Sequence, residues 1–311
     1  PLMGLWIDTD MGFDDLAAVL VITHAGKKVD GMSLIAGNSP LERVRINAAS
    51  AAHLFGWNFK IFTGRENAVM GGLETAEKIL GPHGMQSTDL HLPDCRPIAE
   101  CSAFDALCNW LESKSNPDDE RHILALGPLG NIASLVLARP DLARKIDCLT
   151  WMGGAVGLGN HTASAEYNAF ADPEALAITL SHQVPLRMVD LDLCRQVLAT
   201  PADIAPIRNA GGKNAELLAD LTEGYVNIAL ARGRDAMSIF DPCAAVATIS
   251  TDVITFADAH IEVELGYGPS RGRTIVDPRP NAAKNAQYAV AVDTARARDL
   301  IFSALKAEAA K

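Results

Sequence analysis

The chain has 311 residues, with 27 Lys and Arg against 38 Asp and Glu, so its net charge is −11 at neutral pH. This balance argues against nucleic acid as the main partner, because binding to phosphates needs a basic surface. A hydrophobic share of 49% excludes a disordered chain, and the longest apolar run, Leu16 to Ile22, is far shorter than the roughly 20 residues that cross a membrane.

Short apolar segments that end in polar residues or glycine alternate with amphipathic segments along the chain. The predicted strands are 2–7, 29–35, 60–62, 122–126, 146–152 and 184–189, with a late strand at 255–265. The predicted helices are 16–24, 41–54, 131–138 and 172–180. This alternation predicts an α/β, Rossmann-like single domain over 1–311, with a mostly parallel sheet, helices on both faces and a site at the carboxyl ends of the strands. The less regular stretches 64–97 and 201–240 are predicted to border that site.

The cysteines form no C-x-x-C pair, and none lies at zinc spacing from a histidine. The first ten residues contain no basic and apolar leader. We therefore expect a cytoplasmic protein with reduced thiols and no membrane partner. The six cysteines are Cys95, Cys101, Cys108, Cys148, Cys194 and Cys243.

Four carboxylates follow the first predicted strand within eight residues: Asp8, Asp10, Asp14 and Asp15. Gly12 between them permits a tight turn from strand to helix. Like charges this close need protons or a cation, and oxygen donors suit a hard ion such as Ca²⁺ or Mg²⁺. The alternative is a helix cap with a solvated first turn, which is common for aspartate.

Two other carboxylate motifs fit poorly. An EF-hand counted from Asp8 would need glycine at its sixth position and glutamate at its twelfth, where this chain has Phe13 and Val19. A phosphatase of the haloacid dehalogenase type also has Asp-x-Asp after its first strand, but the residues that follow Asp10 do not match it.

Taken together, several segments resemble the inosine-uridine-preferring nucleoside hydrolase family over nearly the whole chain. The matching segments are Asp8–Asp15, Ala36–Asn38, Leu126–Asn131, Met152–Gly154, Asn160, Ala165–Asn168, Asp172–Ala175, Phe240–Cys243 and Gly272–Asp277. The resemblance implies a Ca²⁺-dependent enzyme that hydrolyses ribonucleosides to free base and ribose.

The resemblance also implies roles for individual residues. The implied calcium ligands are Asp10, Asp15, Asp241 and the backbone carbonyl of Leu126. The residues implied to bind the ribose are Asp14, Asn38, Asn160, Glu166 and Asn168. Asp8 is expected to orient the ligands. Taken singly, Asn38 and Asp241 could instead be helix caps, and Glu166 and Asn168 could be surface residues.

The implied reaction passes through an oxocarbenium-like sugar. Asp10 is the predicted general base toward a calcium-bound water, and Asp14 and Asn168 are the other predicted catalytic residues. Because the metal would also bind the ribose diol, ribosides should be preferred over deoxyribosides.

The chain departs from the family where many members have a histidine just before the late aspartate, because that position is Phe240. Phenylalanine cannot donate a proton to a leaving base, but it can stack on one. A purine preference is therefore suspected, with His83 and Tyr225 as further candidate contacts to the base.

Three alternatives remain open. The same site could serve another N-riboside, with a modified base or a pyrimidine, or the protein could be a non-catalytic, calcium-dependent nucleoside binder. The dehalogenase-type phosphatase is the third and is disfavoured, because the residues that follow Asp10 do not match it. By analogy with the family, a homo-oligomer is expected, either a dimer or a tetramer.

Overall fold

A computed structural model describes residues 3–97 and 101–311, and within these ranges nine strands form one sheet. Those strands are β1 (Met3–Thr9), β2 (Gly31–Leu34), β3 (Ile61–Thr63), β4 (Glu120–Ala125), β5 (Cys148–Met152), β6 (Leu186–Val189), β9 (Ile254–Val263), β10 (Thr274–Asp277) and β11 (Ala286–Val292). A separate pair is formed by β7 (Leu198–Ala199) and β8 (Met237–Ser238).

Helices follow most of the strands, and a short 3₁₀ turn spans Pro201–Asp203. The helices are α1 (Phe13–His24), α2 (Leu41–Phe55), α3 (Glu77–Leu80), α4 (Ala103–Glu112), α5 (Gly130–Ala138), α6 (Pro140–Ala143), α7 (Tyr167–Ala171), α8 (Pro173–Ser181), α9 (Leu191–Cys194), α10 (Ile204–Arg208), α11 (Ala215–Leu230), α12 (Asp241–Ile249) and α13 (Thr294–Ala309).

The large sheet has the strand order β10-β9-β11-β6-β5-β4-β1-β2-β3. Its strands pair in parallel from β11 to β3, whereas β9 runs antiparallel to both of its neighbours. The prediction of a mostly parallel sheet is therefore confirmed. The chain order reverses between β1 and β4, and a crevice for ligands opens at such a reversal in Rossmann-like sheets.

Both faces of the sheet are covered by helices, as predicted. Side chains alternate along β1, so that Leu5 and Ile7 belong to one buried cluster and Trp6 to the other. Helices α1, α12 and α13 pack on the first face, and α4, α5 and α8 on the second. Each fully buried leucine or isoleucine contributes about 1.5–3 kcal/mol, which holds the strand ends in place.

Helices α1 and α13 are two of the elements that differ from the prediction. Helix α1 begins at Phe13 rather than Leu16, because the Asp15 carboxylate accepts a hydrogen bond from the Gly12 N–H and starts the helix earlier. Helix α13 was not predicted, since alanines such as Ala297 and Ala304 form part of its buried stripe and weaken the apolar periodicity.

The cysteines form no disulfide among the described residues, in line with the expected reduced thiols, and all six thiols are free. In the part of the chain that the structure describes, the helices are all too short or too polar to cross a bilayer.

Candidate active site

The turn between β1 and α1 gathers polar groups around the Asp15 carboxylate. This carboxylate accepts hydrogen bonds from the Thr9 hydroxyl at 2.6 Å, the Gly12 N–H at 3.1 Å and the Asp10 N–H at 3.3 Å. Met11 has a φ of 44°, which lies in the left-handed region and turns the chain sharply into the helix. Asp15 therefore caps the helix, as the simpler alternative proposed, and is also held rigidly at the carboxyl end of β1.

Asp10 is buried with one carboxylate oxygen bonded and the other free. Its Oδ2 accepts a hydrogen bond from the Asn38 N–H at 2.7 Å, whereas its Oδ1 has no partner among the described residues. A Cβ atom on Gly37 would lie 2.3 Å from Oδ2, so only glycine allows this approach of backbone to carboxylate. Helix α2 is capped at Pro40 and not by the Asn38 side chain, so the capping alternative for Asn38 is wrong.

Asp8 lies near the carboxyl end of β1 and is fully buried. Its Oδ1 accepts hydrogen bonds from the Asn131 side-chain amide, at 2.8 Å, and from the Ser33 hydroxyl. Its Oδ2 has no partner within the described ranges. These contacts fix Asp8 between β1, β2 and α5, and its orienting role stays a prediction.

Asp14, Asp15 and Asp241 bring carboxylate oxygens within 4.8 Å of one another. Burial is the main cause that raises the pKa of Asp14 and Asp15 to about 6 and that of Asp241 well above its usual range, and repulsion from neighbouring carboxylates is the second cause. Burial and the adjacent Asp15 likewise raise the pKa of Asp10. Asp241 occupies the first turn of α12, and Phe240 is its N-cap. Such a cluster is compatible with a metal site, because a cation would offset the repulsion.

The cluster opens into a cavity of about 290 Å³ at the carboxyl ends of β1, β4 and β5. Most of the predicted site residues line it. They are Asp14, Asn38, Leu126, Asn160, Glu166, Asn168, Tyr225, Phe240 and Asp241. Asp10 and Asp15 are buried next to this lining.

Glu166 and Asn168 are buried at the start of α7 and are not surface residues. The Glu166 carboxylate accepts hydrogen bonds from the N–H groups of Asn168 at 2.6 Å, Gly154 at 2.8 Å and Ala169 at 3.1 Å. Burial nevertheless raises the pKa of Glu166 to about 7. The Asn160 side-chain oxygen accepts from the Tyr167 N–H at 3.0 Å, which ties the neighbouring loop to the same helix.

Aromatic residues, among them Tyr225 and Phe240, also line the cavity. The Tyr225 hydroxyl donates to the Ser238 carbonyl at 2.7 Å, and the Tyr225 ring lies 5.4 Å from that of Phe13. His83 is not among the described residues that line the cavity. Its ring stacks on His91 with centroids 4.2 Å apart, so the structure does not support a contact of His83 with a bound base.

Sequence reasoning missed several residues of the cavity. The Tyr167 hydroxyl contacts the carbonyl oxygens of Gly37 and Glu74, and His161 lies 3.3 Å from the Glu74 carboxylate. These contacts hold the segment whose residues Ala76, Ile79 and Leu80 line the cavity. In the sequence, only the irregularity of stretch 64–97 indicated that this segment borders the site. The cavity is also lined by three arginines that belong to no motif recognised in the sequence: Arg195, Arg232 and Arg234.

Comparisons with known proteins agree with this geometry. The profile of the inosine-uridine preferring nucleoside hydrolase family matches residues 5–299. The pyrimidine-specific ribonucleoside hydrolase RihB of Escherichia coli strain K12 is 31% identical over 297 residues, covering 93% of this chain and 92% of the relative.

Solved structures show the same likeness. A purine-preferring ribonucleoside hydrolase from Gardnerella vaginalis superposes with a TM-score of 0.89 at 28% identity, covering 99% of each chain. The plant nucleoside hydrolase PpNRh1 gives a TM-score of 0.88 at 27% identity, covering 99% of this chain and all of the other. The family profile covers both the large sheet and the carboxylate cluster. The chain therefore belongs to the inosine-uridine preferring nucleoside hydrolases, which are enzymes that cleave the N-glycosidic bond of ribonucleosides.

Proposed function

We propose that this protein is a Ca²⁺-dependent hydrolase that converts purine ribonucleosides to free base and ribose. The main support for this proposal is the carboxylate cluster near β1 and β4, the two strands between which the chain order of the sheet reverses. This cluster opens into a cavity lined by amide, carboxylate and aromatic side chains. One domain over 1–311 is part of the proposal, supported by the single nine-stranded sheet of the described ranges.

The donor set fits a hard cation. Asp10 Oδ1 is buried without a partner among the described residues, and Asp14, Asp15 and Asp241 share one small volume. We propose that Asp10, Asp15, Asp241 and the Leu126 carbonyl would hold Ca²⁺, because all four offer oxygen. When bound, the ion would lower the pKa of a coordinated water and hold the ribose diol.

Asp10 is the proposed general base. Hydrolysis breaks the bond between C1′ and the base nitrogen, and the electron pair leaves with the base. A water oxygen forms the new bond to C1′, and Asp10 takes the water proton. The Asn38 N–H donates to Asp10 Oδ2 and so fixes the carboxylate, and Oδ1 has one lone pair for the proposed ion and another for that proton. The departing base finally gains a proton from solvent.

Asn168, Asn160 and Glu166 are proposed to hold the ribose. The Asn168 amide nitrogen is already bonded to two carbonyl oxygens, which leaves its side-chain oxygen for a sugar hydroxyl. Asn160 uses its oxygen on Tyr167, which leaves its amide N–H groups to donate. Asp14 and Asn38 are proposed to bind the hydroxyls nearest the carboxylate cluster. The Glu166 charge would also stabilise positive charge on the sugar ring.

The base is proposed to stack on Phe240, with Tyr225 as a second aromatic residue of the cavity lining. A purine offers a larger face than a pyrimidine, which supports the purine preference. One relative is named pyrimidine-specific and one structural neighbour purine-preferring, so hydrolysis of a pyrimidine or modified-base riboside in the same site is the second candidate.

Release of free ribose from a panel of ribonucleosides tests the proposal. The panel is inosine, guanosine, adenosine, uridine and cytidine, each with native protein, chelated protein, and chelated protein supplied with Ca²⁺ or Mg²⁺. We expect turnover that chelation abolishes and Ca²⁺ restores. Ligand binding without ribose release would instead identify a non-catalytic nucleoside binder.

A homo-oligomer, either a dimer or a tetramer, is also part of the proposal. Size-exclusion chromatography with light scattering tests it.

A further inference from the structure

Two arginines at the mouth of the cavity have no role in the function proposed so far. Arg232 and Arg234 follow α11, the helix that carries Tyr225, and both line the cavity together with Phe240. Neither guanidinium has an ion pair or hydrogen bond with another described residue. Both side chains are exposed at the mouth, in a chain with a net charge of −11.

The end of α11 holds both arginines at this position. Gly233 has a φ of 75°, its N–H bonds to the Leu230 carbonyl at 3.0 Å, and the Arg234 N–H bonds to the Ala229 carbonyl at 3.1 Å. This is the Schellman arrangement, which ends a helix and turns the chain in a defined direction. The backbone that carries the two cations is therefore fixed.

Arg195, the third arginine of the cavity, provides a contrast. Its guanidinium donates to the carbonyl oxygens of Leu158 at 2.8 Å and Gly159 at 2.9 Å, and it lies 3.3 Å from Asp192. Those contacts give Arg195 a structural role in holding the loop. Because Arg232 and Arg234 lack such contacts, their donors remain free for a ligand.

The chemistry of the leaving base supplies a use for these donors. When the bond to C1′ breaks, the electron pair stays on the base nitrogen, and in keto bases the charge spreads to exocyclic carbonyl oxygens. Phe240 cannot donate a proton or a hydrogen bond to that charge. Guanidinium groups donate strong, directed hydrogen bonds to such oxygens and stay charged throughout.

We infer that Arg232 and Arg234 bind the outer edge of the leaving base through its carbonyl oxygens and stabilise the negative charge that it acquires as the bond breaks. This inference rests on the proposed hydrolase function and deepens it. It assigns the substrates as ribonucleosides of keto bases, such as hypoxanthine, guanine and uracil. Adenine presents an amino donor at the corresponding edge, which would face the guanidinium donors unfavourably.

A purely structural role is the alternative, since cations near a helix C-terminus interact favourably with the helix dipole. Two substrates separate the two roles. Inosine has a leaving group that needs stabilisation, whereas 4-nitrophenyl riboside releases a phenolate that is already stable. The variants are Arg232→Gln, Arg234→Gln and the double variant. Arg144→Gln is the matched control, because Arg144 is exposed and lies before the amino end of β5, whereas the cavity lies at the carboxyl ends of the strands.

We expect the double variant to lose about 10²-fold in kcat/KM on inosine and less than about threefold on 4-nitrophenyl riboside, the usual size of a lost charge-stabilising donor. The inosine-to-adenosine ratio should fall in parallel, and Arg144→Gln should leave all three substrates unchanged. Equal losses on inosine and the nitrophenyl riboside, or no loss on either, would overturn the inference. Native protein that hydrolyses neither substrate would instead refute the hydrolase proposal itself.

Discussion

The side-chain amide of Asn168 donates hydrogen bonds to the carbonyl oxygens of Leu126, at 3.1 Å, and Met152, at 2.9 Å. These carbonyls lie at the carboxyl ends of β4 and β5, so one side chain from α7 joins both strand ends. A carbonyl oxygen has two lone pairs, so Leu126 can accept from Asn168 and still face a cation. A residue proposed to bind the sugar therefore also fixes a carbonyl proposed to bind the metal.

This relationship changes the expected effect of Asn168→Ala. A residue that only bound the sugar would, when removed, lower kcat and leave calcium affinity nearly intact. With the Leu126 carbonyl freed from its donor, we expect kcat to fall about 10²-fold and calcium affinity to weaken about threefold to tenfold. Steady-state kinetics and calorimetry measure the two effects. Unchanged kcat/KM would place Asn168 outside the functional site.

The carboxylate cluster should lose its metal when one charged member is removed. We expect Asp10→Ala and Asp241→Ala each to weaken calcium binding about 10²-fold or more, because each removes a charged ligand from a hard-ion site. Titration calorimetry on chelated protein provides the measurement. Asp118→Asn, in an exposed loop, is the control and should bind like the native protein. Affinity within about twofold of native in both alanine variants would contradict the ligand assignment.

Glu166 should make the metal-free protein less stable as the pH rises. Its pKa is raised from 4.5 to about 7, so the folded chain binds this proton more tightly than the unfolded chain does. Between pH 4.5 and 7, unfolding releases the proton, and a rising pH therefore lowers the free energy of unfolding, by up to about 3 kcal/mol.

The neutral variant Glu166→Gln isolates that contribution. Its stability relative to native protein should be higher at pH 8 than at pH 5, because only the native side chain titrates between them. Urea unfolding at both pH values, in the presence of chelator, measures the difference. Exposed Glu77→Gln serves as the matched control. A Glu166→Gln difference that is the same at both pH values would show that Glu166 has an ordinary pKa.

Phe240 should determine the preference between bases. We expect inosine or guanosine to exceed uridine in kcat/KM by about tenfold, which corresponds to about 1.4 kcal/mol of stacking. Phe240→Ala should remove most of this preference, whereas Phe104→Ala, on α4, should preserve it. Equal turnover of uridine and inosine by the native protein would refute the stacking proposal and leave the hydrolase proposal standing.

The sequence alone determined the elements and motifs that depend on local chemistry. The alternation of buried strands and helices predicted the parallel sheet, because a strand covered on both faces consists of apolar residues. The run from Asp8 to Asp15 predicted a cation site, because four carboxylates within eight residues repel each other. The helix predicted over 172–180 is present as α8, and the Asp172 carboxylate at its start accepts a hydrogen bond from the Ala175 N–H at 3.1 Å.

Only the tertiary structure decided which distant residues meet. Asp241 follows Asp15 by more than 200 positions along the chain, yet their carboxylates share one volume because α12 packs on α1. The sequence predicts His83 as a contact to the base, but in the structure the His83 ring stacks on the ring of His91 and does not line the cavity. Arg232 and Arg234 gave no motif, since an exposed arginine after a helix is common in any sequence. Their position at the cavity depends on the turn at Gly233 and on the packing of α11, which no local pattern encodes.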